Sequence, residues 1–457
     1  MNIVKYCDYV RLRPFELNSE VGRAQERYRL ATLTALTSIL SKGAMMLVMV
    51  FSVTISLPYL GVERFGVWMT IASIVGLLNF LDLGVGNALV NRVAQAAIHS
   101  NKSQLGKCIG AGLIILALIS IAIGTFLYLI AVYLPWHKLL KMSNIDLYTE
   151  TYIAIKVFAI LFSLHILTSG ISRIFYGLQR GYEANMLSAL GSFLSLILIW
   201  GAINFNGGIA SLLAANMLGG VFISFILLGV LVKRGQVNFH RLIENIQIEA
   251  PRLLKTGGSF LFLQIGTMVV FGVDNLIVAS SLGAVMVTTF SITQRLFQFV
   301  TQPFAILNSG LWPAYANAHE HGDKKFIKST LKRSMGITIF GSITVSLVLI
   351  FFGEEIISLW TQKEVSVTYS LLIAFAIWSV MDVGAGCFAM FMNGTSLIKI
   401  QSGCLVTLII IGIPLKIYLA NQLGLQAMLM GFSLFFFINI LFWYGLMHRK
   451  KIFGTIS

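Results

Sequence analysis

Charge is scarce in this chain: Asp, Glu, Lys and Arg make up 11% of 457 residues, against about a quarter in soluble domains. A surface facing water on every side cannot be built from so few, which excludes an ordinary soluble fold. Proline is rare too, with 7 residues, so long helices can run with few breaks. The four cysteines, Cys7, Cys108, Cys387 and Cys404, show no close pairing, and free thiols are expected rather than a disulfide framework. The sequence contains no Gly-rich phosphate loop, no His and Cys cluster with metal-ligand spacing, no nucleophile elbow and no insert long enough for an ATPase. The expectation is a non-enzyme with no cofactor and no metal. The first thirty residues carry Lys5, Arg11, Arg13, Arg23, Arg27 and Arg29 with neither an apolar core nor a small-residue cleavage site. The first helix is therefore expected to persist as an anchor rather than be cleaved as a secretory signal.

What the chain has in abundance is hydrocarbon, with 57% hydrophobic residues and a mean hydropathy of +0.84. Twelve apolar runs, each long enough for a bilayer core of about 30 Å, cover residues 32–57, 65–90, 109–134, 151–176, 185–205 and 209–232, then 256–280, 285–312, 334–352, 365–392, 400–419 and 424–447. The expected fold is an all-α integral membrane protein of about twelve spans, in two pseudo-symmetric six-helix lobes around a central cavity. The corresponding segments are a cytoplasmic N-terminus at 1–31, a first lobe at 32–232, a cytoplasmic linker at 233–255, a second lobe at 256–447 and a cytoplasmic tail at 448–457. An internal repeat supports the halves, because Tyr59-Leu60-Gly61 and Ser281-Leu282-Gly283 open the second and eighth spans at an offset of 222 residues.

With the N-terminus inside, the cytoplasmic segments hold 24 of the 33 basic residues and the external loops only Arg64, Lys138, Lys141 and Lys363. That asymmetry sets both termini and the basic loops near 92–107, 233–255 and 324–333 in the cytoplasm. Topology thereby accounts for the net charge of +15 without a nucleic-acid partner. Trp68, Trp136, Trp312 and Trp360 fall near predicted helix ends, where aromatic anchors are expected.

Eight charges fall inside predicted spans: Lys42, Lys156, Arg173, Arg295, Lys416, Asp82, Asp274 and Asp382. Each costs about 2.5–3.5 kcal/mol near the bilayer centre, so such groups face a bundle interior or a wet cavity. On the eighth span Thr288, Ser291, Arg295, Gln298 and Gln302 form one polar stripe, and on the second Asn79, Asp82, Gly86 and Asn87 share a face. Shorter stripes run through Ser38 and Lys42, through Asp274, through His165, Ser169 and Tyr176, and through Ser379, Asp382 and Asn393. Serines and glycines in such stripes suit helix packing. Lys42, Arg295, Asp82, Asp274, Asp382, Arg173, Gln298 and Asn79 are the candidate substrate-cavity residues. The aspartates suit either interhelical salt bridges or cation sites, and Arg173, Lys156 and Lys416 lie close enough to helix ends to snorkel. His165 is read as a hydrogen-bonded interior residue, and Pro58, Pro303 and Pro414 as candidate kinks.

Pro58-Tyr-Leu-Gly-Val-Glu-Arg-Phe-Gly-Val-Trp68, Leu81-Asp-Leu-Gly-Val-Gly-Asn-Ala-Leu89, Ser169-Gly-Ile-Ser-Arg-Ile-Phe-Tyr-Gly-Leu-Gln-Arg-Gly181 and Asp274-Asn-Leu-Ile-Val-Ala-Ser-Ser-Leu-Gly283 recur in order along the chain. In these segments it resembles the polysaccharide transport family of flippases, of the O-antigen or lipid-linked oligosaccharide type. Their superfamily also holds multidrug extrusion antiporters and peptidoglycan-precursor flippases. The resemblance implies two six-helix lobes opening alternately to either side of a bacterial inner membrane. The cargo would be a polyprenyl-diphosphate-linked oligosaccharide for O-antigen, capsule or exopolysaccharide, with membrane lipids and glycan polymerase machinery as partners and proton or sodium coupling. Its anionic diphosphate would suit Lys42 and Arg295. The competing readings are an ion-coupled multidrug antiporter and a non-transporting scaffold for glycan synthesis.

Overall fold

The computed structural model describes residues 15, 20–78, 85–98, 102–136, 145–237, 251, 266–267, 269–309, 311–320, 323–395 and 397–449. Among the described residues there are helices and no strands, as expected where hydrocarbon offers no water to a backbone N–H. We number them α1 (Glu20–Leu78), α2 (Val85–Ile98), α3 (Lys102–Tyr133), α4 (Ile145–Gly177), α5 (Gly181–Asn204), α6 (Ile209–Lys233), α7 (Asp274–Leu282), α8 (Ala284–Ser309), α9 (Leu311–Glu320), α10 (Lys324–Trp360), α11 (Tyr369–Gly394), α12 (Ile398–Thr407), α13 (Ile413–Leu423) and α14 (Leu425–Arg449). Nine described helical stretches are long and apolar enough to cross a membrane, and Val269–Leu282 is a shorter apolar helix. The chain is a multi-pass membrane protein. The 26-residue α8 falls outside those nine because its polar stripe dilutes its apolarity.

Two compact units emerge. The first comprises Met1–Tyr59, Leu78–Pro135 and Ile145–Phe262, the second Leu60–Leu77, Trp136–Asn144 and Leu263–Ser457. Most of the 233–255 linker read from the sequence lies outside the described residues.

In the first unit, helices approach closely where side chains are small. A Cβ on Gly219 of α6 would collide with Ser195 and the Gly191 carbonyl of α5, so this crossing needs glycine. Ser195 Oγ donates to the Asn216 carbonyl at 2.9 Å across it. Between α3 and α4, Ser120 and Ser163 each donate to the other's backbone carbonyl. Asn185 of α5 ties three helices, accepting from the Tyr176 hydroxyl at 2.5 Å and donating to the Thr34 carbonyl at 3.0 Å. Glu150 accepts the orphan Ile209 N–H at the start of α6 at 2.7 Å, and Glu183 holds both Arg180 and Arg234. Ahead of the first span, hydrogen bonding to Glu26 raises the pKa of buried Arg29 above its ordinary value.

In the second unit, Gly61 interrupts the long α1 with φ 73° and ψ 166°, and Gly283 separates α7 from α8 with φ 89° and ψ 170°. These are the glycines paired by the 222-residue repeat, and this backbone region is essentially reserved for glycine. The repeat therefore reproduces a backbone break. Residues 60–77 join this unit because the Thr288 hydroxyl donates to the Val62 carbonyl at 2.6 Å and Gly66 leaves room for the Ala284 backbone. Trp68 departs from the interfacial role expected of it: it is 1% exposed and packs edge-to-face on Phe65 at 5.4 Å. Burying indole and phenyl together outweighs a headgroup position. Trp136 is buried as well, whereas Trp312 is exposed. The 324–333 segment read as a loop is the start of α10, whose 37 residues are capped by Asp323 accepting from Phe326 N–H at 3.0 Å. At 1.5 Å per residue, α10 exceeds the hydrocarbon thickness by about 25 Å.

Pro58 stands three residues ahead of the break at Gly61, Pro303 lies within α8, and Pro414 follows a π-helical turn at Leu408–Gly412, where the ladder loosens ahead of a residue with no N–H. Cys108, Cys387 and Cys404 are free thiols; Cys7 lies outside the described residues.

Gly283→Ala is expected to cost about 1–3 kcal/mol through backbone strain alone, since its Cβ would meet nothing within 4 Å. Gly220→Ala, helical with open space around it, should hold or raise stability. Thermal unfolding in detergent compares them, and equal midpoints would dismiss the strain argument.

Candidate functional site

Lys416, expected to snorkel, does the opposite. Its side chain is 2% exposed and its ammonium donates to Asp274 Oδ1 at 2.5 Å and to the Val270 carbonyl at 2.9 Å. The face of Phe432 lies 3.8 Å from Nζ, and the ring of Trp378 6.0 Å. Asp274 begins α7, where the positive end of the helix also favours a carboxylate. Of the two roles open to Asp274, salt-bridge partner is the one observed. Lys416 turns inward because its position in the first turn of α13 offers a carboxylate, a carbonyl and two aromatic faces within reach, whereas hydrocarbon offers nothing.

The polar stripe of α8 divides in two. Thr288 and Ser291 are buried and engaged, Thr288 with Val62 and Ser291 donating to Asn275 Oδ1 at 3.0 Å. These are packing contacts. One turn further on, Arg295 is only partly buried as a residue, yet its Nη1 is enclosed and has no acceptor among the described residues. Gln298 and Gln302 continue the same face, partly exposed. The helix is fixed in orientation by Phe290 and Phe297 of α8, whose rings lie 5.2 and 5.8 Å from that of Phe375 on α11. Asp382, two turns along α11 from Phe375, is partly exposed and forms no ion pair with Arg295. Of the four candidate intramembrane charges of the second unit, all described, Lys416 and Asp274 pair with each other, and Arg295 and Asp382 form no ion pair.

In the first unit Lys42 is half-exposed on α1 and Arg173 exposed on α4. Lys156 rests over the Tyr152 ring at 3.9 Å, a cation–π contact. His165 is partly buried and packs against Phe162. Asn79 and Asp82 lie outside the described residues. Reading the sequence missed the cross-helix roles of Asn185, Glu150 and Asn308, the last bonded to Thr338 at 3.3 Å. An amide in an apolar run was the available signal for Asn185 and Asn308, and Glu150 stands just ahead of one.

Comparison with known proteins places these features in context. A family model described as polysaccharide biosynthesis protein matches residues 28–319, and one described as MatE matches residues 260–418. The chain is 23% identical over 422 residues to a Yersinia pseudotuberculosis protein named for O-antigen export, covering 88% of this chain and 92% of that one. It is 22% identical over 429 residues to a Salmonella typhi protein named for O-antigen transport, covering 90% and 94%. Among solved structures, an inward-facing multidrug resistance MATE family transporter of the MOP superfamily matches with a TM-score of 0.76 at 14% identity, over 92% of this chain and 98% of that one. A MOP superfamily transporter from Pyrococcus furiosus matches with a TM-score of 0.65 at 12% identity, over 94% and 96%. At these identities the structural likeness establishes the fold.

Lys416→Met alone leaves the Asp274 carboxylate buried without its partner and is expected to cost about 3–5 kcal/mol. Lys416→Met combined with Asp274→Leu removes both charges and should recover most of that loss. A double-mutant cycle on thermal unfolding measures the coupling; additive losses would show that the two groups are not a pair.

Proposed function

From a chain that belongs to the polysaccharide biosynthesis protein family, we propose a transporter that flips a polyprenyl-diphosphate-linked oligosaccharide from the cytoplasmic to the external leaflet of a bacterial inner membrane. The glycan class is that of O-antigen, capsule or exopolysaccharide repeat units. The curated relatives, matched over most of both chains, are named for O-antigen export and transport, which supports this cargo class. Both termini face the cytoplasm in this reading, which follows the uneven distribution of Lys and Arg.

The observation that carries the proposal is Arg295. Desolvating a guanidinium without a protein acceptor is unfavourable unless a ligand or water supplies one, and a diphosphate offers acceptors that a guanidinium fork fits in bidentate fashion. Lys42 adds a second cation without a protein partner among the described residues, on the first span. Alternating access by the two lobes would carry the head group across while the prenyl tail stays in lipid. A proton or sodium gradient supplies the drive, with Asp382 as the carboxylate left open for coupling. Residues 233–255 serve as the inter-lobe linker.

A second reading, an ion-coupled extrusion antiporter, draws on the fold shared with a MATE transporter and on the same uncancelled Asp382. In a deletion strain, the flippase reading expects lipid-diphosphate-linked oligosaccharide to accumulate on the cytoplasmic leaflet, with surface glycan lost and drug resistance unchanged. Wild type and Arg295→Lys restore export, the latter in part, whereas Arg295→Ala reduces it at least tenfold. Normal glycan display with heightened drug sensitivity would decide for the antiporter. Full export by Arg295→Ala would remove Arg295 from the site.

A further inference from the structure

Away from the charges discussed above, α10, α11 and α14 of the second unit enclose a cavity of about 970 Å³. That volume is near the top of the about 300–1,000 Å³ range of ligand sites, more than a small head group fills. The wall is made of hydrocarbon, with Met335 and Ile339 from α10, Phe388 from α11, and Phe437 and Ile440 from α14. Gly384 borders free space, since a Cβ added there would meet only Ile339 and Met335, at 3.9 and 4.0 Å. Phe437 and Leu441 are exposed, so the cavity is a groove open to the surroundings of the protein rather than a sealed void.

One end of the groove has the opposite character. Lys324, Lys325, Lys328 and Lys332, all exposed, line it over the first turns of α10, and no carboxylate is among the described lining residues. Asp323, just ahead of them, is occupied as the helix cap. Along one helix face the chemistry therefore runs from four ammonium groups to methionine and isoleucine, the order of an anionic amphiphile read from head to tail.

We propose that this groove binds an anionic phospholipid drawn from the leaflet on the lysine-rich side. Its phosphate sits among the four lysines, and its acyl chains lie on Met335, Phe388 and Ile440. A zwitterionic lipid would bring its own cation against the lysines, and a free phosphate would leave the apolar wall uncovered. The groove opens along exposed helix faces, so the abundant lipid of the leaflet fills it by mass action. The assignment does not depend on which cargo the protein carries.

The test uses the full-length protein in detergent, titrated with dioleoyl phosphatidylglycerol or dioleoyl phosphatidylcholine, with lipids retained by native mass spectrometry and the thermal midpoint as readouts. Wild type should bind the glycerol lipid at least tenfold more tightly. Replacing the four lysines together by Gln, all at exposed positions, should abolish that preference while leaving weak binding of both lipids. Gly384→Leu, which fills the groove, should weaken both while leaving the charge intact. Equal affinity of wild type for the two lipids, or unchanged binding by both variants, would overturn the site. Displacement of the glycerol lipid by inorganic phosphate, or tenfold tighter binding of a polyprenyl diphosphate, would overturn its assignment to phospholipid.

Discussion

Hydrocarbon offers no hydrogen-bond partner, so each polar group that enters the membrane must find one within the protein. Helices answer this for the backbone. Hydroxyls answer it by folding back on their own helix: Thr37 donates to Leu33, Thr54 to Val50, Thr70 to Gly66 and Thr293 to Thr289, each to the carbonyl four residues earlier. Such residues look like polar stripes in sequence, yet they are locally satisfied and free to sit at helix contacts.

Side chains that cannot satisfy themselves locally connect helices, and they set the architecture of each unit. Asn185 joins α1, α4 and α5, Asn439 joins α12 and α14 through Thr407 and Cys404, and Lys416 joins α13 to Asp274. The Lys416 pair lies just beyond the π-helical turn and Pro414, where the backbone ladder is weakest, so side-chain bonds secure the segment that the backbone holds least firmly. Against this background of pairing, Arg295 stands out by contrast. It shares a helix with two engaged hydroxyls, and its Nη1 is enclosed there without an acceptor among the described residues. An uncancelled cation on a rigid helix is what the proposed anionic cargo would need.

Charge has a further use at the edges. The basic start of α10 reads in sequence as a topogenic loop, and as a helix it extends well past the hydrocarbon with an apolar groove beneath it. In the proposed topology and lipid site, the same lysines would both orient the chain and meet the lipid phosphate.

Composition alone determined the solvent, the helical class and the number of long apolar runs, because a span needs about twenty apolar residues whatever it packs against. The repeat was legible too: Gly61 and Gly283 hold matching backbone angles that almost no other residue adopts. The eight intramembrane charges were visible as a set. Which of them cancel was not, since Asp274 and Lys416 lie 142 residues apart and only folding brings them together. Tertiary packing likewise took Trp68 from the interface into the core and split the α8 stripe between packing and an open face. Local periodicity says which side of a helix is polar; what stands opposite that side depends on distant segments, and those contacts decide whether a buried charge is structural or available.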